Sequence, residues 1–252
     1  MLITRCKIEW LNQNGQGYAI NPFIGCANGC YKGKCWAYLQ TRRSGRVTSW
    51  EEWQRPRLNS RFQGVSLRVA AAREAGRLPP SSNLLLSSMC DPFQPDYFGY
   101  NSIIENVLHG LSWIKNGPRI WILTKSGSGL ARFSSYLVDC KAKVGVTLTT
   151  LEKTDWEPYA DPPILRLLAL KNLKKAGLST YISIEPIIPE VTAPREIIEQ
   201  TRGFVDFYIL GSLNYVKTDT NWYKERLPGL IEWLKKENVN FFVKKELAKR
   251  LI

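Results

Sequence analysis

From residue 83 onward, short apolar runs alternate with helical segments, and this constrains the fold more than any other feature of the chain. The runs are Asn83–Ser88, Arg119–Thr124, Ala142–Leu148, Thr180–Glu185, Val205–Leu210 and Asn240–Val243. Between them lie segments with apolar residues at helical spacing: Asn101–Ile114, Gly129–Leu137, Pro163–Ala176, Pro194–Thr201 and Trp222–Lys236. Gly177 stands where the third of these helices must stop. Nearly continuous apolar strands separated by helices imply a parallel sheet covered on both faces. Tyr18-Ala-Ile20 adds an entry strand, and Val65–Glu74 adds a helix with Gly76 near its end. Residues 1–17 read as a polar lead-in. No Gly/Ser-rich linker or repeat divides the chain. The expectation is one α/β domain over residues 1–252, a partial or complete (β/α) barrel of about six to seven parallel strands.

In such barrels chemistry sits at the carboxyl ends of the strands. Polar residues collect at those ends here. Ser87, Ser88, Cys90 and Asp91 follow the first run, and Thr124-Lys125-Ser126 follow the second. Thr147 to Thr150 end the third, and Ser183 and Glu185 end the fourth. Gly211 to Tyr215 follow the fifth, and Lys244-Lys245 follow the last. A single hydroxyl at a strand end is ordinarily a helix cap or a turn residue. It is the repetition around one rim that points to a binding site.

Residues 25–38, between the entry strand and the first helix, carry Cys26, Cys30 and Cys35, three of the chain's six cysteines. The N-terminus has no signal-peptide pattern and no apolar run reaches the ~20 residues of a membrane span. The expected location is therefore the cytoplasm, where thiols stay reduced, which favours metal or cluster ligation over disulfides. A structural zinc site closes its tetrahedron with four protein ligands. Three thiolates can instead hold an iron–sulfur cluster with one iron left open to a small molecule. Cys6 could supply a fourth ligand to zinc; Cys140 reads as structural. His109, the sole histidine, lies within a helical pattern, which excludes a multi-histidine metal site and argues against histidine-based hydrolysis.

Cys26-x3-Cys30-x4-Cys35, Tyr38-Leu-Gln-Thr41, Ser88-x-x-Asp91-Pro92 and Ile122-Leu-Thr-Lys125 resemble the radical SAM core of spore photoproduct lyase and its relatives. Phe62-Gln-Gly-Val65, Val144-Gly-Val-Thr147, Ser183-Ile-Glu-Pro186 and Phe241-Phe-Val-Lys244 also resemble a phage-protein family related to that group. The family loop is C-x3-C-x2-C, so two extra residues precede Cys35, and Lys34 stands where the family has an aromatic residue. The resemblance implies a radical SAM barrel. In it Cys26, Cys30 and Cys35 hold a [4Fe-4S] cluster, and S-adenosylmethionine (SAM) is cleaved to start radical chemistry. It implies SAM contacts from Ser87, Ser88, Asp91, Lys125, Thr147 and Glu185, with Trp36 or Tyr38 packing against SAM. Cys90 is the candidate hydrogen-atom donor. The enzyme would also need an electron donor.

The formal net charge of +13 favours polyanionic partners. Residues 42–77 hold nine arginines and no lysine, against three glutamates. Arginine suits bidentate phosphate contacts, so nucleic acid or a nucleotide is the favoured substrate class. Two alternatives stay open: a zinc-stabilised nucleic-acid-binding protein with Cys6 completing the site, and a SAM-binding barrel without radical activity.

Overall fold

The computed structural model describes residues 1–95, 99–216 and 218–251. Its strands are β1 (Ile3–Arg5), β2 (Gly17–Ile20), β3 (Phe23–Ile24), β4 (Arg57–Leu58), β5 (Asn83–Leu86), β6 (Arg119–Thr124), β7 (Lys143–Thr147), β8 (Thr180–Ile187), β9 (Phe207–Ser212) and β10 (Phe241–Val243). Eight form one sheet in the order β1-β2-β5-β6-β7-β8-β9-β10, while β3 and β4 make a small separate ladder. From β2 to β10 every neighbour is parallel, giving seven parallel strands; β1 pairs antiparallel with β2. No pairing among the described residues joins β1 to β10, so the sheet is a partial barrel.

The helices are α1 (Trp36–Arg43), α2 (Trp50–Trp53), α3 (Leu67–Ala75), α4 (Tyr100–Ser112), α5 (Gly127–Arg132), α6 (Ser134–Asp139), α7 (Pro163–Lys175), α8 (Pro194–Thr201), α9 (Thr220–Lys236) and α10 (Lys245–Ala248). The expected helix over Gly129–Leu137 is two, and it begins earlier. The Ser126 hydroxyl accepts Gly129 N at 3.0 Å, so Gly127-Ser-Gly129 forms the first turn of α5.

Successive strand residues point to opposite faces, and the two faces pack differently. Leu84, Leu86, Ile120, Ile122, Val144, Val146, Ile182, Ile184, Tyr208 and Leu210 belong to the large core shared with the helices. Their odd-numbered neighbours Leu85, Trp121, Leu123, Tyr181, Phe207 and Ile209 pack together inside the barrel with Phe242 of β10. Gly145 makes room there: a Cβ on it would lie 2.4 Å from the Tyr181 ring, whose hydroxyl donates to Ile122 O at 2.8 Å.

The polar lead-in is a correction to the sequence reading. Residues 3–5 form β1, in register with β2 (Ile3 opposite Ile20), and Trp10–Asn12 form a 3-10 turn. Trp10 and Leu11 enter the barrel interior, with the Trp10 ring 5.2 Å from Trp121 and 5.7 Å from Tyr181. The segment is short and locally polar, so only the long-range pairing with β2 and the hole between inward-facing aromatics define it. Cys6 packs with this inner cluster. Replacing Trp10 by Ala removes the plug, and we expect a loss of about 3–5 kcal/mol of stability, read as a lowered urea midpoint at unchanged m-value.

Candidate active site at the barrel mouth

Continuing the inner face upward by two residues per step reaches the site. Leu123 leads to Lys125, Gly145 to Thr147 and Thr149, Tyr181 to Ser183 and Glu185, and Phe242 to Lys244, while Ser87, at φ 61°, stands at the turn that ends β5. Ser87, Thr147, Thr149 and Ser183 are all buried. The side-chain oxygens of Ser87, Thr149 and Ser183 have no hydrogen-bond partner, nor has Gln94 Nε2. Buried polar atoms are ordinarily paired, so unpartnered hydroxyls after β5 and β7 and in β8 mark a candidate place for a polar ligand.

The cysteine loop lies over this rim. Cys26 N donates to Trp53 O at 2.9 Å, Cys30 opens a 3-10 turn over Cys30–Gly33, and Cys35 is the N-cap residue of α1. The residues that lengthen the motif are thus taken up in a tight turn, with Tyr31 and Gly33 at positive φ. Cys30 interacts electrostatically with Cys26, Cys35 and Lys125, Cys26 with Cys90 and Asp91, and Cys90 with Cys35. Burial raises every one of these thiols above the ordinary range, Cys90 to about 12.

Two buried carboxylates tie the loop to the barrel. Asp91 accepts Asn28 Nδ2 (2.9 Å) and Lys125 N (2.7 Å) on one oxygen, and Thr124 Oγ1 (2.6 Å) and Phe93 N (2.9 Å) on the other. Gln94 Oε1 accepts Ala27 N at 2.9 Å beside it. Glu157 is 3% exposed; one oxygen lies 3.4 Å from Lys125 Nζ and 3.1 Å from the Tyr31 hydroxyl, the other 2.7 Å from Arg166 Nη1. Burial pushes the Glu157 carboxyl up, but the Lys125 and Arg166 charges outweigh it and hold the group below the usual carboxylate range. Lys125 is desolvated too, yet Glu157 raises it overall, and its ammonium stands 5.6 Å over the Tyr31 ring. The connection from β7 to α7 that carries Glu157 straps over the cysteine loop: Tyr31 N donates to Trp156 O (2.7 Å) and Tyr159 N to Asn28 O (3.4 Å).

The structure therefore brings together Cys26, Cys30, Cys35, Cys90, Asp91 and Lys125, with Ser87 beside Cys90 and with Thr147 and Glu185 on the adjoining inner face. Glu185 is paired with Lys244 Nζ at 2.5 Å. Ser88 turns to Asn21 Oδ1 (3.2 Å). Tyr38 is buried beside Trp50 and Trp53, whereas Trp36 is 42% exposed. His109 is half-buried against Trp113 and Tyr136. Sequence reasoning missed Glu157, Arg166, Asn28, Gln94 and the role of Tyr31. Arg166 carried a signal: it sits in the stripe of Pro163, Ala169, Leu170 and Leu173 on the buried face of α7, where a cation requires a buried partner. Glu157, in an irregular segment, carried none.

Among the described residues no group of three or more His, Cys, Asp or Glu side chains is placed to hold a metal ion. The donor chemistry is that of an iron–sulfur site, three thiols on one loop, with Cys30 coupled electrostatically to Cys26, Cys35 and Lys125.

No protein-family profile matches the chain. An uncharacterised protein of Methanocaldococcus jannaschii is 28% identical over 203 residues, covering 79% of this chain and 71% of that protein. Two solved structures share the fold. SuiB of Streptococcus suis, bound to S-adenosylmethionine, superposes with a TM-score of 0.52 at 14% identity over 90% of this chain. A spore photoproduct lyase variant with bound AdoMet and dinucleoside spore photoproduct gives 0.53 at 16% identity over 84%. The chain thus shares the α/β fold of two proteins solved with SAM bound. The chain spans only 49% and 61% of those two proteins' lengths.

The Glu157 clamp generates a pH prediction. A carboxyl held below its unfolded value of about 4.3 contributes stability that is fully present above that pH and is lost as pH falls through the folded value. Glu157→Gln leaves Lys125 and Arg166 without their counter-charge, so stability at pH 7 drops by about 3–5 kcal/mol. Its urea midpoint falls less than that of the parent between pH 5 and the acid limit. Parallel midpoints across that range would refute the clamp.

Proposed function

We propose that the chain is a radical SAM enzyme, with residues 1–252 acting as one barrel domain. The observation that carries this is the meeting of Cys26, Cys30 and Cys35 with Lys125 and the orphaned hydroxyls of Ser87, Thr149 and Ser183 at the mouth of a barrel that binds SAM in other proteins. When bound, a four-iron cluster held by the three thiolates supplies an open iron and the electron that cleaves the SAM sulfonium.

This chain's residues prepare the site. Lys125 presents an ammonium to the SAM carboxylate, a charge-assisted contact, and Glu157 with Arg166 fixes where that ammonium stands. Ser87, Thr147, Thr149, Ser183 and Glu185 offer hydroxyl and carboxylate partners to the amino and ribose groups. Ser88 and Asp91 act one step back: Ser88 holds the end of β2, and Asp91 fixes Asn28 of the loop and the Lys125 backbone. Trp36, exposed beside Cys35, is the aromatic available to cover SAM, while Tyr38 supports α1 from beneath. Cys90 is the thiol nearest in role to a hydrogen-atom donor.

The favoured substrate class is nucleic acid. All nine arginines of residues 42–77 are exposed. Arg43 stands 5.8 Å over the ring of Tyr215, which follows β9 and is 46% exposed. Exposed aromatics beside arginines suit stacked bases and phosphates. No helix among the described residues is long and apolar enough to cross a membrane.

Anaerobic reconstitution with iron and sulfide is expected to give a visible-absorbing cluster, and dithionite with SAM to release 5′-deoxyadenosine. Both are lost in Cys26→Ala/Cys30→Ala/Cys35→Ala. Stoichiometric zinc without iron would establish the zinc-stabilised alternative. SAM binding with no 5′-deoxyadenosine would leave a SAM-binding barrel without radical activity.

For the substrate class, the measurement is binding of single-stranded DNA or RNA against salt. Arg43→Glu/Arg46→Glu should weaken binding and lower the slope of log K on log salt by roughly 0.7 per lost phosphate contact. An unchanged slope would remove this surface from the interface.

A further inference from the structure

We propose that a cavity between α8 and α9 is a second ligand site, one that takes a nucleoside monophosphate. It is separate from the barrel mouth and does not depend on the radical SAM reading.

The cavity has a volume of about 360 Å³. Ligand pockets run from about 300 to 1,000 Å³, so this one suits a single small molecule. Its charged lining is Arg195 of α8 and Arg226 of α9, with no carboxylate, so its field favours an anion. Arg195 is held in place: its Nε donates to Glu199 at 2.9 Å, and its guanidinium lies 4.8 Å over the Trp233 ring. Among the described residues its two terminal nitrogens make no hydrogen bond, and Arg226 makes none at all. Free guanidinium forks match a phosphate monoester, with about two negative charges at neutral pH and three terminal acceptor oxygens.

The rest of the lining includes Pro194, Leu227 and the half-buried Trp222. A base offers its π-face and its apolar surface to such residues. Trp222 Nε1 is buried without a hydrogen-bond partner, so no hydrogen bond fixes the indole against a ligand. Gly229 keeps the space open. A Cβ there would meet no heavy atom within 4 Å, and its φ is not in the left-handed region. Glycine weakens a helix interior relative to alanine, and this one follows Pro228 inside the 17-residue α9. Neither a neighbour nor the backbone requires glycine here; what it preserves is room.

One layer of residues separates the cavity from the cysteine loop. Thr192, in the lining, accepts Ile188 N on its hydroxyl at 2.9 Å. Tyr223, next to Trp222, donates to Ile187 O at 2.8 Å and accepts Leu213 N at 3.2 Å. Ile188 and Leu213 in turn pack with Cys30 and Tyr31. The ligand is a neighbour of the loop without being part of its site.

The test is calorimetry of the full chain with adenosine 5′-monophosphate (AMP), compared with inorganic phosphate, adenosine and benzoate. AMP is expected to bind, and each of the other three at least tenfold more weakly. Arg226→Gln should weaken AMP binding about tenfold or more. Gly229→Leu fills the space with a better helix former, so its urea midpoint should rise while AMP binding is lost; a loss in a more stable protein is not misfolding. Hydrogen exchange with AMP present should slow over residues 188–195 and 222–230. Adenosine or benzoate binding as tightly as AMP overturns the proposal, as does AMP binding that both variants leave unchanged. Protection confined to residues 87–91 and 123–126 would place AMP in the barrel mouth and overturns it too. None of these measurements uses iron or SAM, so their failure leaves the radical SAM reading standing.

Discussion

The site depends on one buried carboxylate. Glu157 meets cations from β6 and α7 and the hydroxyl of Tyr31 in the cysteine loop. A lone charge at 3% exposure would be neutralised or expelled; here two cations hold it ionised, and it in turn keeps Lys125 charged without water. The same residue lies on the strap whose backbone bonds Tyr31 and Asn28. The ion pairs and the strap therefore form together, and the loop's position is fixed by charge desolvation as much as by its own turns. Asp91 performs the matching task on the other side, using both oxygens to join Asn28 to the ends of β5 and β6. The loop packs Cys30 and Tyr31 against Ile188 and Leu213, and Cys26 and Cys35 against Tyr38 and Trp53; the two carboxylates add directional ties that this apolar packing lacks.

The seven parallel strands and the rim residues were legible because strand geometry is local. A period of two carries Leu123 to Lys125 and Tyr181 to Ser183 and Glu185, and the apolar residues below declare which face is inward. What was not legible depends on partners far away in the chain. Residues 3–5 become a strand only against Ile20, and Trp10 is a plug only because Trp121 and Tyr181 leave a place for it. Tyr38 and Trp36 look alike beside Cys35, and only the distant Trp50 and Trp53 separate the supporting aromatic from the exposed one. Arg166 was readable in principle as a cation on an apolar stripe, but its anion sits in an irregular segment with no periodicity to betray it.

The irregular cysteine spacing has a local physical account. A 3-10 turn over Cys30–Gly33 advances the chain by less per residue than an extended loop, so added residues need not carry Cys35 away from Cys30. Its backbone is held from outside by Trp156 O on Tyr31 N, and Lys34 N closes it on Tyr31 O. Cys35 then enters α1 as the N-cap residue, which fixes its direction by the helix that follows. Lengthening the motif thus requires a strap, since an unsupported turn with Tyr31 at φ 60° would be strained. The strap brings Tyr159 with it, and the Tyr159 ring lies against Gly29 while staying 64% exposed. The longer cysteine loop and the strap are in this sense one structural feature: the segment that carries Glu157 to Lys125 and Arg166 also supplies the backbone bonds that hold the added turn.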